Sequence, residues 1–220
     1  MSEQILWLKD VQNGHWSALG AALRAGLPVP GGFVALQDTP EKAIRQGYED
    51  LKLYEYTHYL AVRSPSHALI DVIGADQLIH SLRRLWLELP GAEVLVQAMV
   101  NSAWCGSAAW EGKNLRIRAA EGLQCLDSDM YRFNTTTRKC TRRTLYQRPR
   151  KVFRAVDGTT RTMEIIGERR PLEPKYLEAI AGLAERVESD MTWVLDDRRV
   201  WLIGKRDVFT AETQRSQKKT

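Results

Sequence analysis

The change of texture at Pro90-Gly91 constrains this chain more than any other feature. Before it, apolar residues recur at three and four positions, the helical period, in three stretches. These are Trp16, Leu19, Ala22 and Leu23; Ala43, Ile44, Tyr48 and Leu51; and Leu78, Ile79, Leu82, Leu85 and Trp86. After it come short β-prone runs at turn-sized intervals, predicting strands at 94–100, 103–110, 115–119, 131–134, 144–147, 152–156 and 162–167. One more helix is expected over 174–188, followed by strands at 191–195 and 199–203 joined by Asp196-Asp197-Arg198. With 220 residues, 44% of them hydrophobic, the chain can bury a sizeable core. The reading is therefore α+β in two lobes: helix-rich over 1–91, strand-rich over 92–209, with a basic flexible tail at 210–220.

Local chemistry fixes some corners. Pro28 and Pro30 forbid helix, Gly31 and Gly32 permit a tight turn, and residues 33–36 read as a strand. Thr39-Pro40-Glu41 supplies a helix start, with proline in the first turn and an acid near the positive end of the dipole. A strand is expected at 59–63, and Glu111-Gly112-Lys113-Asn114 reads as a hairpin turn.

Several function classes are disfavoured. No apolar run approaches membrane-spanning length, and the opening MSEQILWLKD lacks the basic and apolar regions of a secretory signal, so a soluble cytoplasmic protein is expected. Cys105, Cys125 and Cys140 are odd in number and widely spaced, as free thiols would be. His15, His58, His67 and His80 show no metal-ligand spacing. Charge is unevenly spread. Residues 138–154 (RKCTRRTLYQRPRKVFR), bounded by Arg138 and Arg154, hold eight basic and no acidic side chains, so the net +5 leaves 5 − 8 = −3 elsewhere. Such a segment either faces water or attracts nucleic acid, an acidic protein or a polyphosphate.

The stretch GHWSALGAALRAGLPVPGGF, residues 14–33, resembles without a gap the opening of the ATP-binding domain of pyruvate phosphate dikinase and phosphoenolpyruvate synthase, G-K-G-x-x-L-x-E-L-x-x-A-G-L-P-V-P-x-G-F. Further likenesses follow in the same order. LAVRSPS (60–66) is similar to V-A-V-R-S-S, VLVQAMV (94–100) to V-V-V-Q-x-M-V, and IRAAEGL (117–123) to I-E-A-x-x-G-L. CG (105–106) stands at that family's S-G, and DMYRF (129–133) resembles P-D-x-Y-x-V. DMTWVLDDRRVWLIGKRD (190–207) resembles D-I-E-W followed by L-x-I-L-Q-x-R-P.

The resemblance implies an ATP-grasp-like fold, two lobes with a cleft for Mg-ATP, and phosphoryl transfer to a histidine on a separate domain. It carries the phosphate arginines onto Arg63 and Arg206, the adenine-side hinge glutamine onto Gln97, and the phosphate lysine onto His15. An imidazole at that last position lacks a lysine's fixed charge. The magnesium glutamate falls on Thr192, which leaves Asp190, two residues away on the same strand face, as the candidate Mg²⁺ ligand. The glutamine and proline of Q-x-R-P fall on Gly204 and Asp207, and the helix glutamate on Ala21. The glycine-rich loop after V-R-S-S is missing, since Ser66 runs directly into HALIDVIGADQ.

These departures favour a degenerate domain of that family, a weak ATP binder or a pseudoenzyme scaffold with no assigned catalytic residue. Two other functions are compatible with the residues. One is an active dikinase-type phosphotransferase subunit that works with a separately encoded phosphohistidine or PEP-utilising protein. The other is a nucleic-acid or acidic-protein binding module built on residues 138–154.

Overall fold

Two prolines and two glycines deliver the chain into its first sheet. Gly32 begins a strand at a point where a Cβ would meet the backbone carbonyl of Val96 on the neighbouring strand, so only glycine lets the two pair this closely. The computed structural model describes residues 5–147, 149–155, 158–166 and 171–206, the last without its side chain. It divides into two units, residues 1–100 and 101–220.

The first unit runs β1 (Leu6–Trp7), α1 (Ser17–Arg24), β2 (Gly32–Ala35), α2 (Glu41–Glu55), β3 (Tyr59–Arg63), β4 (Ala68–Ile73), α3 (Ala75–Glu88) and β5 (Val94–Ala98). The strands form one antiparallel sheet in the order β1-β2-β5-β3-β4. Its core lies under α2 and α3, where Ile44, Leu51, Leu82 and Leu85 pack on Phe33, Val62 and Val96. Each fully buried side chain of this size is worth roughly 1.5–3 kcal/mol. Because strand side chains alternate, Arg63 and Gln97 point to the sheet face turned away from those helices.

The second unit runs β6 (Trp104–Glu111), β7 (Asn114–Glu121), β8 (Asp129–Asn134), β9 (Lys139–Thr144), β10 (Arg150–Arg154), β11 (Thr160–Glu164), α4 (Pro174–Val187), β12 (Asp190–Leu195) and β13 (Val200–Arg206). Six strands make an antiparallel sheet in the order β13-β12-β6-β7-β8-β9, and β10-β11 is a separate hairpin bridged to it at Gly122 and Val152. Pro174 starts α4, whose buried residues include Leu177, Ile180 and Ala184. Gly106 makes room for this core. A Cβ there would meet the Arg118 carbonyl and lie 2.6 Å from the fully buried Trp193 ring.

The α+β reading holds, with three differences of detail. Residues 68–73, read as a direct run out of Ser66, form β4. The Ser64 amide donates to the His67 carbonyl (2.8 Å) and the His67 amide to the Ser64 hydroxyl (3.1 Å), so a tight turn stands where the family loop was expected. The strand expected at 144–147 is instead β9, because Arg138 takes the left-handed conformation (φ 55°) and closes its turn early enough for pairing to begin at Lys139. Pro90-Gly91 turns α3 into β5, which lies at the centre of the first sheet, so the division falls after Val100. The 210–220 tail, Asp207 and Arg148 lie outside the described residues. Among those described, no helix is long and apolar enough to cross a membrane.

Candidate functional site

Three of the residues singled out from the sequence meet around a fourth that was read only as a helix-face residue. Trp16 precedes α1, and its indole N–H donates to the Glu93 carbonyl at 3.1 Å. Its ring is 6% exposed and lies under the Arg63 guanidinium, 5.8 Å from the ring centre. The His15 ring meets it edge-on, with centroids 4.6 Å apart. Gln97, fully inside, links the rest: its side-chain carbonyl accepts from Arg63 at 3.4 Å, and its amide donates to the Pro30 carbonyl at 2.9 Å. Burial draws the Arg63 guanidinium down from its ordinary value to about 10, so it stays charged at neutral pH but is poorly hydrated.

The turn into α1 is the second part of the site. Gly14 has φ 83°, and a Cβ there would run into the Glu93 carboxylate, while the His15 backbone N–H donates to that carboxylate at 2.9 Å. A backbone N–H on a turn before a helix is a natural anion acceptor. Here the anion comes from the protein itself. Trp16 stands at the second glycine of the G-K-G pattern, and that mismatch was the signal that could have drawn attention to it. Nothing in the local pattern marks Glu93.

Asp190 and Arg206 belong to the second unit, where they are opposite one another in the β12-β13 register. The Arg206 side chain lies outside the described residues. The Asp190 carboxylate accepts the Trp110 backbone N–H at 2.9 Å, a role in the sheet ladder. Thr192 pairs with Ser107 and Gly204, a neutral hydroxyl at the expected metal position. Among the described residues no group of three or more His, Cys, Asp or Glu side chains could hold a metal ion. One carboxylate already engaged by an N–H does not fit Mg²⁺, which needs several oxygen ligands at once.

Basic residues of 138–154 scatter over the second unit. Arg138 pairs with Glu185 at 2.8 Å and Arg150 with Asp127 at 2.7 Å, while Arg142 and Arg143 fall on opposite faces of β9. The hydrogen bond from Arg150 holds the Asp127 carboxyl below its ordinary range. Arg143 lines a groove of about 560 Å³ with Trp104, Glu121, Tyr131, Leu172 and Tyr176, and burial pushes the Tyr131 phenol up to about 12. All three cysteines are free thiols.

No protein-family profile and no curated protein sequence matches the chain. Solved structures match it over most of its length. The D-alanine–D-alanine ligase of Bacillus anthracis superposes with a TM-score of 0.49 and 11% identity, over 87% of this chain and 55% of the ligase. The same ligase complexed with ATP gives 0.44 and 13%, over 84% and 52%. D-alanyl-alanine synthetase A of Vibrio cholerae O1 biovar eltor gives 0.46 and 11%, over 85% and 53%. The chain thus spans about half the length of these structures. The functional reading rests on the internal geometry rather than on this likeness.

Proposed function

We infer that the chain is a degenerate ATP-grasp-like domain of the phosphoenolpyruvate synthase and pyruvate phosphate dikinase kind, in which the first unit still contacts a nucleotide weakly and no phosphoryl group is transferred. The observation that carries this is Glu93. Its carboxylate takes the His15 backbone N–H on the turn where the resemblance places a phosphate-binding lysine. Arg63 supports residual contact, because a poorly hydrated guanidinium on the same sheet face presents a charged fork to phosphate oxygens. The two act against each other. A carboxylate about 4 Å from a phosphate costs roughly 1 kcal/mol even in water-like surroundings.

The absence of transfer rests on the second unit. Phosphoryl transfer needs its charge neutralised by metal and cations, and the Asp190 carboxylate is bonded to the sheet backbone beside a neutral Thr192. The test is release of radiolabelled phosphate from γ-labelled ATP, with and without magnesium, beside an Arg63→Ala variant. Background-level release in every arm is expected. Magnesium-dependent release that Arg63→Ala abolishes would refute the reading and favour a working subunit that delivers phosphate to a separate histidine domain.

A further inference from the structure

The sheet of the second unit has a face the sequence does not announce. Directly opposite residues on neighbouring antiparallel strands point the same way. Arg116 on β7 faces Arg132 on β8, and Arg132 faces Arg142 on β9. Three arginines therefore stand in one row across three strands, about 5 Å from one to the next. Arg118 lies two residues along β7 on the same face, with its Nε donating to the Ser128 hydroxyl at 3.0 Å. All four are exposed.

This arrangement opposes folding. Like charges directly across a sheet repel, and Arg132 has one on each side. The relief is partial. Glu111 reaches the Nε of Arg116 at 3.3 Å and that of Arg132 at 3.8 Å, so one carboxylate serves two guanidiniums. Arg142 has no carboxylate partner among the described residues. Four cations beside one acid on an open sheet form a strong positive field. Where the resemblance places a glutamate, in I-E-A, this face carries Arg118.

We propose that this face binds nucleic acid through its phosphate backbone, without reading sequence. Charge complementarity selects the occupant. Each guanidinium can fork two phosphate oxygens, and the row offers several such forks at a spacing a phosphate chain can follow. A free nucleotide fits less well, because small ligands are held in concave sites that bury them and this face is flat. Arg138 and Arg150, the basic residues already paired to Glu185 and Asp127, do not belong to it. The proposal is independent of the nucleotide reading for the first unit.

The test is fluorescence anisotropy of a labelled single-stranded DNA oligonucleotide titrated with the whole chain at several salt concentrations. Four phosphate contacts give a slope of log K against log salt of roughly −3. The triple variant Arg116→Gln, Arg132→Gln, Arg142→Gln should lose most of that slope and on the order of a hundredfold in low-salt affinity. It should melt no lower than the parent, because the mutual repulsion is gone. The pair Arg138→Gln, Arg150→Gln and the single Arg63→Ala should leave oligonucleotide binding in place. The proposal is overturned if the triple variant binds as well as the parent, if binding ignores salt, if inorganic triphosphate displaces the oligonucleotide at equal concentration, or if anionic vesicles bind and the oligonucleotide does not.

Discussion

The Arg63 cluster and the arginine row of β7-β8-β9 use the same side chain in opposite ways. Arg63 is drawn into the protein, stacked on Trp16 and joined to Gln97, and it sits in a motif that resembles a known phosphate-binding pattern. Arg116, Arg132 and Arg142 belong to no motif, stay in water and share little counter-charge. A retained motif residue therefore does not guarantee an open site, and an open site needs no motif. What decides between the two is whether the protein itself has supplied the partner the guanidinium would otherwise seek.

Substitutions can break this contrast. Trp16→Ala removes a buried ring and its hydrogen bond to Glu93, and should cost about 3–5 kcal/mol in urea unfolding. A loss below 1 kcal/mol, roughly the scale of surface changes, would mean that the cluster is not a packed unit. Gln97→Ala strips Arg63 and the Pro30 carbonyl of a buried partner and should cost about 1–3 kcal/mol. An unchanged midpoint would show that both groups find water instead.

Acid sensitivity belongs to the second unit and is smaller. The Asp127 carboxyl is held low in the folded state by Arg150, so its stabilisation is present above the ordinary carboxylate range and lost as pH falls through its folded pKa. Arg150→Gln should flatten the fall of stability below about pH 4. The two unfolding curves would run parallel there if the pair does nothing. Smallest of all, Arg132→Gln should raise stability by about a few tenths of a kcal/mol at low salt, with the gain fading as salt screens the row. A loss of stability would mean that Glu111 outweighs both neighbouring arginines.

Much of the fold was legible because it is local. Pro28, Pro30, Gly31 and Gly32 placed the entry to β2, and the spacing of Leu78, Leu82 and Leu85 placed α3. β4 was missed although ALIDVI carries strand-forming residues, because the stretch was read as what remained of a lost loop. The candidate site was legible at Arg63, Gln97 and His15 as residues, but not in its state. Glu93 reaches Gly14 from far along the chain, and no local period encodes that approach. The arginine row was hidden for a related reason. Arg116 and Arg118 alternate visibly along β7, yet only the pairing register brings Arg132 and Arg142 beside them, and a shift of one residue would turn them to the other face.

The most direct test is calorimetric titration of ATP into the parent chain, Glu93→Gln and Arg63→Ala. Weak binding by the parent is expected, with a Kd about five to ten times lower in Glu93→Gln, as removal of one nearby negative charge implies, and no detectable binding by Arg63→Ala. Equal affinity in all three proteins would contradict the claim that Arg63 holds the nucleotide and that the protein's own carboxylate opposes it.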